Sequence, residues 1–307
     1  MRIRQNTCAR SARQGERRAP LPTRAKDAVT RAAVASIAVV LVLVGLTFLP
    51  STQPKAVHLG GGNLAQGVSL IPGTRVINPE SGRIETASAD LSSSAVIIGD
   101  SQAAGARGVP SAQTWPLQGL RQAGLTPIFR GKGGIGFVAH WKANGPNFLD
   151  GIRGGDYVLP FGRPALVVIE GGGNDARLGA SDAEIADNAR ALVVELRKSY
   201  PTSPMVMIGT LSRSYLDGGG RRLEVDQLLG RLAASMGVEF IDVGGWLTQY
   251  GLGAYLADKV HLNAEGHALA APLLAKELRA RGLIGQSPVS PAGAAVRYDL
   301  PGASERK

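Results

Sequence analysis

A run of four apolar residues that leads into Gly-Asp-Ser constrains the fold of this chain more than any other stretch. Residues 95–98 have the length and apolar character of a buried strand in a parallel sheet, and Gly99 permits a sharp turn after it. Ser101 is then expected at the carboxyl end of that strand. Ligands bind at this edge of open α/β sheets, because the loops that leave the strands converge there. Ser101 is therefore a candidate nucleophile, although Gly-Asp-Ser is also ordinary turn composition.

Two other polar positions complement this serine. Asp258 precedes His261 by three residues, and if one loop carries both, the carboxylate can fix the imidazole tautomer while the other ring nitrogen faces a hydroxyl. Asn174 follows a second apolar run, residues 166–169, and so is expected at the same edge of the sheet. Its side-chain amide can donate a hydrogen bond to an oxyanion. Together these residues predict a nucleophile, a base, an orienting acid and an anion-stabilising donor.

These motifs resemble those of the SGNH, or GDSL, hydrolases, whose four sequence blocks occur in order between residues 94 and 283. Residues 99–101 resemble the nucleophile block, 172–175 the Gly-x-Asn-Asp block and 258–261 the Asp-x-x-His block. The resemblance implies a serine esterase or acylhydrolase that works through an acyl-enzyme, with no cofactor and no metal. It assigns Ser101, His261 and Asp258 to a catalytic triad.

The resemblance also implies an oxyanion hole made by the N–H of Ser101, the amide of Asn174 and a glycine N–H. The glycine block is the faintest of the four and falls within residues 131–137. Spacing favours Gly136, with Gly134 as the alternative. The same glycines satisfy a dinucleotide-binding pattern, but the run does not follow the first strand of the fold and no long helix is expected after it.

The alternation of strand and helix patterns predicts an α/β fold. Five apolar strands alternate with helices over residues 94–283, which indicates one domain with right-handed crossovers. The expected architecture is a three-layer α/β/α sandwich with a five-stranded parallel sheet. The resemblance implies the same fold, of the flavodoxin-like type.

The N-terminal region predicts a membrane anchor. Residues 1–31 carry nine basic and two acidic residues, so most of the net charge of +10 lies there and does not indicate nucleic-acid binding by the domain. Residues 32–49 contain no charge and are long enough for a transmembrane helix. The positive-inside rule then places residues 1–31 in the cytoplasm and the domain outside. A cleaved signal peptide is the rival interpretation, but no small-x-small cleavage site follows residue 49.

Two Gly-, Ser- and Pro-rich segments complete the predicted organisation. Residues 50–93 are interpreted as a linker, part of which could pack on the domain, and residues 284–307 as a disordered tail. The predicted substrate is an ester, such as an acylated glycan or lipid of the cell envelope. Two alternatives stay open: an acyltransferase that passes the acyl group to a glycan, and a non-catalytic glycan-binding domain.

Overall fold

A parallel sheet of five strands forms the centre of the folded domain. The computed structural model describes residues 56–58, 70–140 and 145–284. The central sheet has the strand order β5-β4-β7-β8-β9, and all four pairs of neighbouring strands are parallel. In chain order the strands are β1 (Val57–His58), β2 (Arg75–Ile77), β3 (Ile84–Ala87), β4 (Ser94–Gly99), β5 (Thr126–Gly131), β6 (Pro160–Phe161), β7 (Leu166–Glu170), β8 (Met205–Ile208) and β9 (Glu239–Ile241).

The helices cover both faces of this sheet. They are α1 (Ser101–Ala104), α2 (Trp115–Gln122), α3 (Phe148–Gly154), α4 (Gly173–Leu178), α5 (Asp182–Ser199), α6 (Gly220–Ser235), α7 (Trp246–Gln249) and α8 (Ala264–Ala280). Short 3₁₀ turns occur at Ser111–Gln113, Tyr215–Asp217 and Leu252–Tyr255.

Two hydrophobic cores lie on opposite faces of the sheet because successive strand residues point in opposite directions. Within β4, Ile98 belongs to the core that also contains apolar residues of α5 and α6. Ile97 belongs to the other core, with apolar residues of α2 and α8. Both isoleucines are fully buried. The predicted α/β/α sandwich with a parallel five-stranded sheet is therefore confirmed.

Polar caps fix where the long helices begin. Ser181 and Glu184 form a reciprocal capping box at the start of α5. Asn263 caps α8 by accepting a hydrogen bond from the Gly266 N–H at 2.8 Å. Asn263 lies two residues after His261 and α8 begins at Ala264, so His261 stays in the preceding loop.

A second, smaller sheet extends the folded body to the N-terminal side of the predicted domain start. Its strand order is β1-β2-β3-β6, with an antiparallel pairing only between β2 and β3. Glu85 of β3 is fully buried, and its carboxylate accepts hydrogen bonds from Asn78 at 2.9 Å and from Ser199 of α5 at 2.5 Å. Within the predicted linker 50–93, part of which could pack on the domain, residues 75–87 form strands that contact distant parts of the chain.

The remaining predictions on chain organisation fall largely outside the described residues. This applies to the basic segment 1–31, the predicted transmembrane helix 32–49 and the predicted tail beyond residue 284. Within the described ranges, none of the helices combines the length and apolar character needed to cross a membrane.

Candidate active site

A cleft of about 1150 Å³ opens at the carboxyl edge of the central sheet. The turns after β4, β5 and β7 contribute to it, together with the loop before α8. Its lining includes all but one of the predicted site residues, namely Ser101, Gly134, Asn174, Asp258 and His261; Gly136 does not line it.

A continuous chain of hydrogen bonds joins Ser101, His261 and Asp258. Nε2 of His261 lies 2.9 Å from Oγ of Ser101, and Nδ1 lies 2.8 Å from Oδ2 of Asp258. The neutral imidazole that donates from Nδ1 to the carboxylate accepts from the serine hydroxyl at Nε2. Both ring nitrogens are therefore engaged in the arrangement that proton transfer from Ser101 requires.

Local backbone contacts hold the histidine loop against the serine. Oδ1 of Asp258 accepts from the N–H groups of Val260 and His261, both at 2.8 Å. Gln102, the residue after the serine, donates from Nε2 to the carbonyl of Val260 at 3.0 Å. Because that hydrogen bond links α1 directly to the histidine loop, it fixes the separation between Ser101 and His261.

Arg107 makes a further contact with the aspartate. Its Nε donates to Oδ2 of Asp258 at 2.5 Å, so the same oxygen accepts from both Arg107 and His261. Partial burial alone would raise the pKa of Asp258, but the hydrogen bonds from His261, the two backbone amides and Arg107 outweigh it. The pKa therefore lies well below its usual range, and Asp258 stays ionised at neutral pH.

Asn174 lies at the start of α4 and borders the cleft. Its Nδ2 donates to the carboxylate of Asp100 at 3.1 Å and to the carbonyl of Ile135 at 3.0 Å. The side chain thus ties the nucleophile turn to the glycine-rich loop after β5. For this amide to donate to a reacting oxyanion, one of these hydrogen bonds must be exchanged.

The structure does not fit the prediction of Gly136 as an oxyanion donor. The Gly136 N–H donates to the carbonyl of Ala139 at 2.8 Å. A β-carbon at Gly136 would lie 2.3 Å from the carboxylate of Asp175, so this glycine is required for close packing. Gly133 and Gly134 line the cleft instead, and a β-carbon at Gly133 would lie 3.6 Å from that of Ser101.

Asp175 shapes the glycine-rich loop from the opposite side. The fully buried carboxylate accepts from three successive N–H groups, those of Phe137 at 3.0 Å, Val138 at 2.7 Å and Ala139 at 2.8 Å. These bonds curl residues 137–139 around Asp175. Spacing along the sequence favoured Gly136 but could not predict this curl. The carboxylate that causes the curl, that of Asp175, belongs to a different strand-to-helix turn, the one after β7.

Buried charges lie directly beneath the nucleophile. Burial raises the pKa of Asp100 to about 6, despite its hydrogen bond from the Gln102 N–H and the nearby Arg222. Burial and the proximity of Asp100 raise the pKa of Glu170 well above its ordinary value. Arg222 donates to the carbonyls of Leu211 and Gly173 and partly compensates both acids. The turn that presents Ser101 is thus fixed by a buried polar network.

His267 and His140 have surroundings that differ from those of His261. His267 of α8 is buried, and its Nδ1 accepts from the Trp115 N–H at 3.0 Å. Burial lowers its pKa to about 4, and the nearby His261 adds to this effect. His140 is exposed. Among the described residues, no group of three or more His, Cys, Asp or Glu side chains could hold a metal ion.

Sequence reasoning missed Arg107, Gln102 and Arg222 as parts of the site. Gln102 follows the serine directly, so its position in the nucleophile block was a usable signal. Arg107 and Arg222 lie in segments without a recognisable pattern. Only the folded chain brings their guanidinium groups to the carboxylates that they contact or compensate.

Comparison with known proteins identifies relatives of this fold. The family model for the GDSL-like lipase/acylhydrolase family matches residues 97–269. No curated protein matches the sequence. Among solved structures, a carbohydrate esterase family 2 enzyme with a carbohydrate-binding domain from Corynascus thermopiles (Myceliophthora fergusii) is 21% identical, with 66% of this chain and 72% of that chain covered and a TM-score of 0.50.

Two further structures are similar at comparable levels. A family two carbohydrate esterase from Cellvibrio japonicus is 16% identical, covers 64% of this chain and 63% of its own, and has a TM-score of 0.50. A family two carbohydrate esterase from Clostridium thermocellum, in complex with cellohexaose, is 19% identical. The match covers 66% of this chain and 69% of that chain, with a TM-score of 0.49. The two structures at 0.50 support the same fold for this chain.

Proposed function

Because the chain belongs to the GDSL-like lipase/acylhydrolase family and is a hydrolase of ester bonds, we propose that it cleaves O-acyl esters with Ser101 as nucleophile. The observation that carries this proposal is the hydrogen-bond chain from Ser101 through His261 to Asp258, with distances of 2.9 and 2.8 Å. A serine hydroxyl becomes a sufficient nucleophile when an adjacent base removes its proton.

The proposed reaction proceeds in two acyl transfers. Nε2 of His261 takes the proton of Ser101 as Oγ attacks the ester carbonyl, and Asp258 stabilises the imidazolium that forms. His261 then protonates the leaving alcohol as the C–O bond breaks, which leaves an acyl group on Ser101. Water then attacks this acyl-enzyme, with His261 taking its proton and returning it to Oγ of Ser101. This step releases the carboxylic acid and regenerates the free serine.

The oxyanion of each tetrahedral intermediate requires donors on the other side of the carbonyl. We assign this role to the N–H of Ser101, the N–H of Gly134 and the Asn174 amide. Gly134 replaces Gly136 in this role, because it lines the cleft with Ser101 whereas the N–H of Gly136 is bonded to Ala139. Such donors stabilise charge that develops only in the transition state.

The proposed substrate class is an O-acylated glycan of the cell envelope, with an acylated lipid as the alternative. Support comes from the similar structures, which are carbohydrate esterases, and from a cleft whose size of about 1150 Å³ fits a sugar with neighbouring groups. Transfer of the acyl group to a sugar hydroxyl would use the same acyl-enzyme. Adding a glycan acceptor to the assay and measuring acylated product separates transfer from hydrolysis.

We also propose that residues 32–49 anchor the enzyme in the membrane with the catalytic domain outside the cytoplasm. The support is the uncharged run of eighteen residues after a basic flank. Protease added to spheroplasts should degrade the domain and spare residues 1–31. A mature protein that begins near residue 50 would contradict this topology.

The experiment that tests the proposed chemistry replaces Ser101 by Ala. Turnover of p-nitrophenyl acetate and butyrate, and labelling by a fluorophosphonate, should both be lost, while the Tm stays within about 2 °C of wild type. Ser93→Ala is the matched control, because Ser93 is exposed and lies before β4. Turnover or labelling that survives in Ser101→Ala would assign the nucleophile to another residue.

A further inference from the structure

Positive charge dominates the lining of the cleft around Ser101. Five cationic side chains line it against two acidic ones, Asp100 and Asp258; the cations are Arg107, Arg177, Arg221, Arg222 and Lys259. An uncharged acyl group or sugar can accept hydrogen bonds from such a lining but gains no net Coulomb attraction from it. A negatively charged one is attracted into it.

Two of these arginines are largely compensated by the protein itself. Arg221 pairs with Asp182 at 2.7 Å and with Glu224 at 3.4 Å. Arg222 donates to backbone carbonyls and lies near the buried acids Asp100 and Glu170. Their charge is directed to the protein interior or to acids on neighbouring turns, so they contribute less to binding a ligand.

Lys259, the residue after Asp258, and Arg107, which contacts the Asp258 carboxylate, are different because both line the cleft and are exposed. Lys259 is exposed, and it makes no hydrogen bond or ion pair with the described part of the chain. Arg107 contacts Asp258 through Nε alone, and its side chain is 61% exposed. Asp258 carries one negative charge and already accepts from His261 Nδ1, so it cannot neutralise both cations and the imidazolium that forms during catalysis.

The backbone at Arg107 indicates that its placement is specifically maintained. Among the described residues it is the one non-glycine residue with a positive φ, +52°. Gly105 and Gly108 also have positive φ, so the chain turns tightly on both sides of it. Non-glycine residues in this region are strained and persist where the surrounding structure requires them, often at functional sites.

We propose that Arg107 and Lys259 form a subsite for a carboxylate or phosphate group that the substrate carries close to its scissile ester. The inference rests on the proposed serine mechanism and deepens it, because it restricts the substrates to negatively charged esters. The anion belongs either to the acyl group, as in a dicarboxylic half-ester, or to the alcohol, as in an acidic sugar or a phosphorylated polyol. Both sources present the same chemistry to the two cations.

The test compares matched esters that differ in charge and little in shape. For the acyl side, mono-p-nitrophenyl succinate is compared with p-nitrophenyl methyl succinate. For the alcohol side, 3-acetoxybenzoate is compared with its methyl ester. The measured quantity is the ratio of kcat/KM for the charged ester to that for the neutral one, so that any effect of a substitution on the triad itself cancels.

Lys259→Gln and Arg107→Gln should each lower this ratio by roughly 3- to 10-fold in at least one arm. Lys276→Gln, which removes an exposed lysine on α8 outside the cleft lining, should leave the ratio unchanged. Added salt should reduce the ratio for the wild type more than for Lys259→Gln, because it screens exposed charges. The arm that responds identifies whether the anion is on the acyl or the alcohol side.

A binding measurement on Ser101→Ala makes the inference independent of turnover. In saturation-transfer NMR, monomethyl succinate or 3-acetoxybenzoate should bind more tightly than its neutral methyl ester, and adding Lys259→Gln should remove the difference. Ratios unchanged by both substitutions, with no charge preference in binding, would overturn the subsite while leaving ester hydrolysis intact. Failure of the proposed serine mechanism would give a different result, namely ester turnover that survives Ser101→Ala.

Discussion

The amide of Asn174 donates to the carboxylate of Asp100 at 3.1 Å, directly beneath the nucleophile turn. Its second hydrogen bond, to the carbonyl of Ile135 at 3.0 Å, reaches the glycine-rich loop. One side chain therefore connects three of the segments that form the cleft. Its contributions to structure and to catalysis can be measured separately.

Replacing Asn174 by Ala should lower kcat by about 100- to 1,000-fold with a modest change in KM, because an oxyanion donor acts mainly in the transition state. The two lost hydrogen bonds should also reduce the free energy of unfolding by about 1–3 kcal/mol. Steady-state kinetics and urea unfolding on one preparation provide both values. A near-normal kcat with a lowered unfolding midpoint would leave Asn174 with a structural role alone.

His267 should make stability depend on pH in the acidic range. Its pKa is lowered to about 4 in the folded state, against an ordinary value of about 6.5. Between these pH values the unfolded chain binds the proton and the folded chain does not. The contribution of His267 to the free energy of unfolding is therefore constant above pH 7 and falls as the pH decreases towards 4. The loss should reach about 3 kcal/mol.

The measurement for His267 is the difference in unfolding free energy between wild type and His267→Asn at several pH values. Asparagine cannot titrate and retains an acceptor for the Trp115 N–H. The advantage of the wild type should shrink by about 2–3 kcal/mol between pH 7.5 and pH 4. A parallel pH dependence in wild type and His267→Asn would contradict the prediction.

Asp226 should have the opposite pH dependence. Burial, the neighbouring Asp242 and a hydrogen bond with it raise the pKa of Asp226 to about 8. The folded chain then retains a proton that the unfolded chain has released above pH 4, so stability is lost as pH rises from about 4 to 8. Asp226→Asn cannot ionise and keeps an oxygen for the Thr210 N–H, which now donates to Asp226 at 2.9 Å.

Asp226→Asn should therefore be more stable than wild type at pH 8, by about 2 kcal/mol or more, and the gain should vanish near pH 4. Urea unfolding at pH 4.5, 6 and 8 measures it. Asp156→Asn, at an exposed carboxylate, should not change stability beyond about 0.5 kcal/mol. A variant that is destabilised equally at all three pH values would show that the carboxylate is needed in its ionised form.

Local sequence patterns were sufficient to predict an element where the residues of one segment alone determine its structure. The apolar runs 95–98 and 166–169, which form β4 and β7, need only their own residues, and the structure has both strands within one residue of those bounds. Ser101, Asp258 and His261 could be placed together for a similar reason. Strand ends of a parallel sheet share one edge, and a short Asp-x-x-His turn brings the two side chains together.

Predictions failed where a distant residue determines the local conformation. Gly136 was favoured by spacing, but Asp175 bends the loop so that Gly136 packs away from the cleft. The strands β2 and β3 are three and four residues long, and their sequences, RVI and IETA, do not alternate apolar with polar residues, although their burial alternates. They form because β6, from a segment some 70 residues later, pairs with β3.

The N-terminal sheet also determines how this protein can be shortened. Arg83, which precedes β3, donates to the carboxylate of Glu195 at 2.5 Å and to the Glu195 carbonyl at 2.6 Å, and Glu85 accepts from Ser199 on the same helix. The match to the family model begins only at residue 97. A fragment cut there would expose the face of α5 that these residues cover, so family boundaries and folding boundaries differ in this chain. Transplanting the catalytic unit into another protein would require residues 70–96 to move with it.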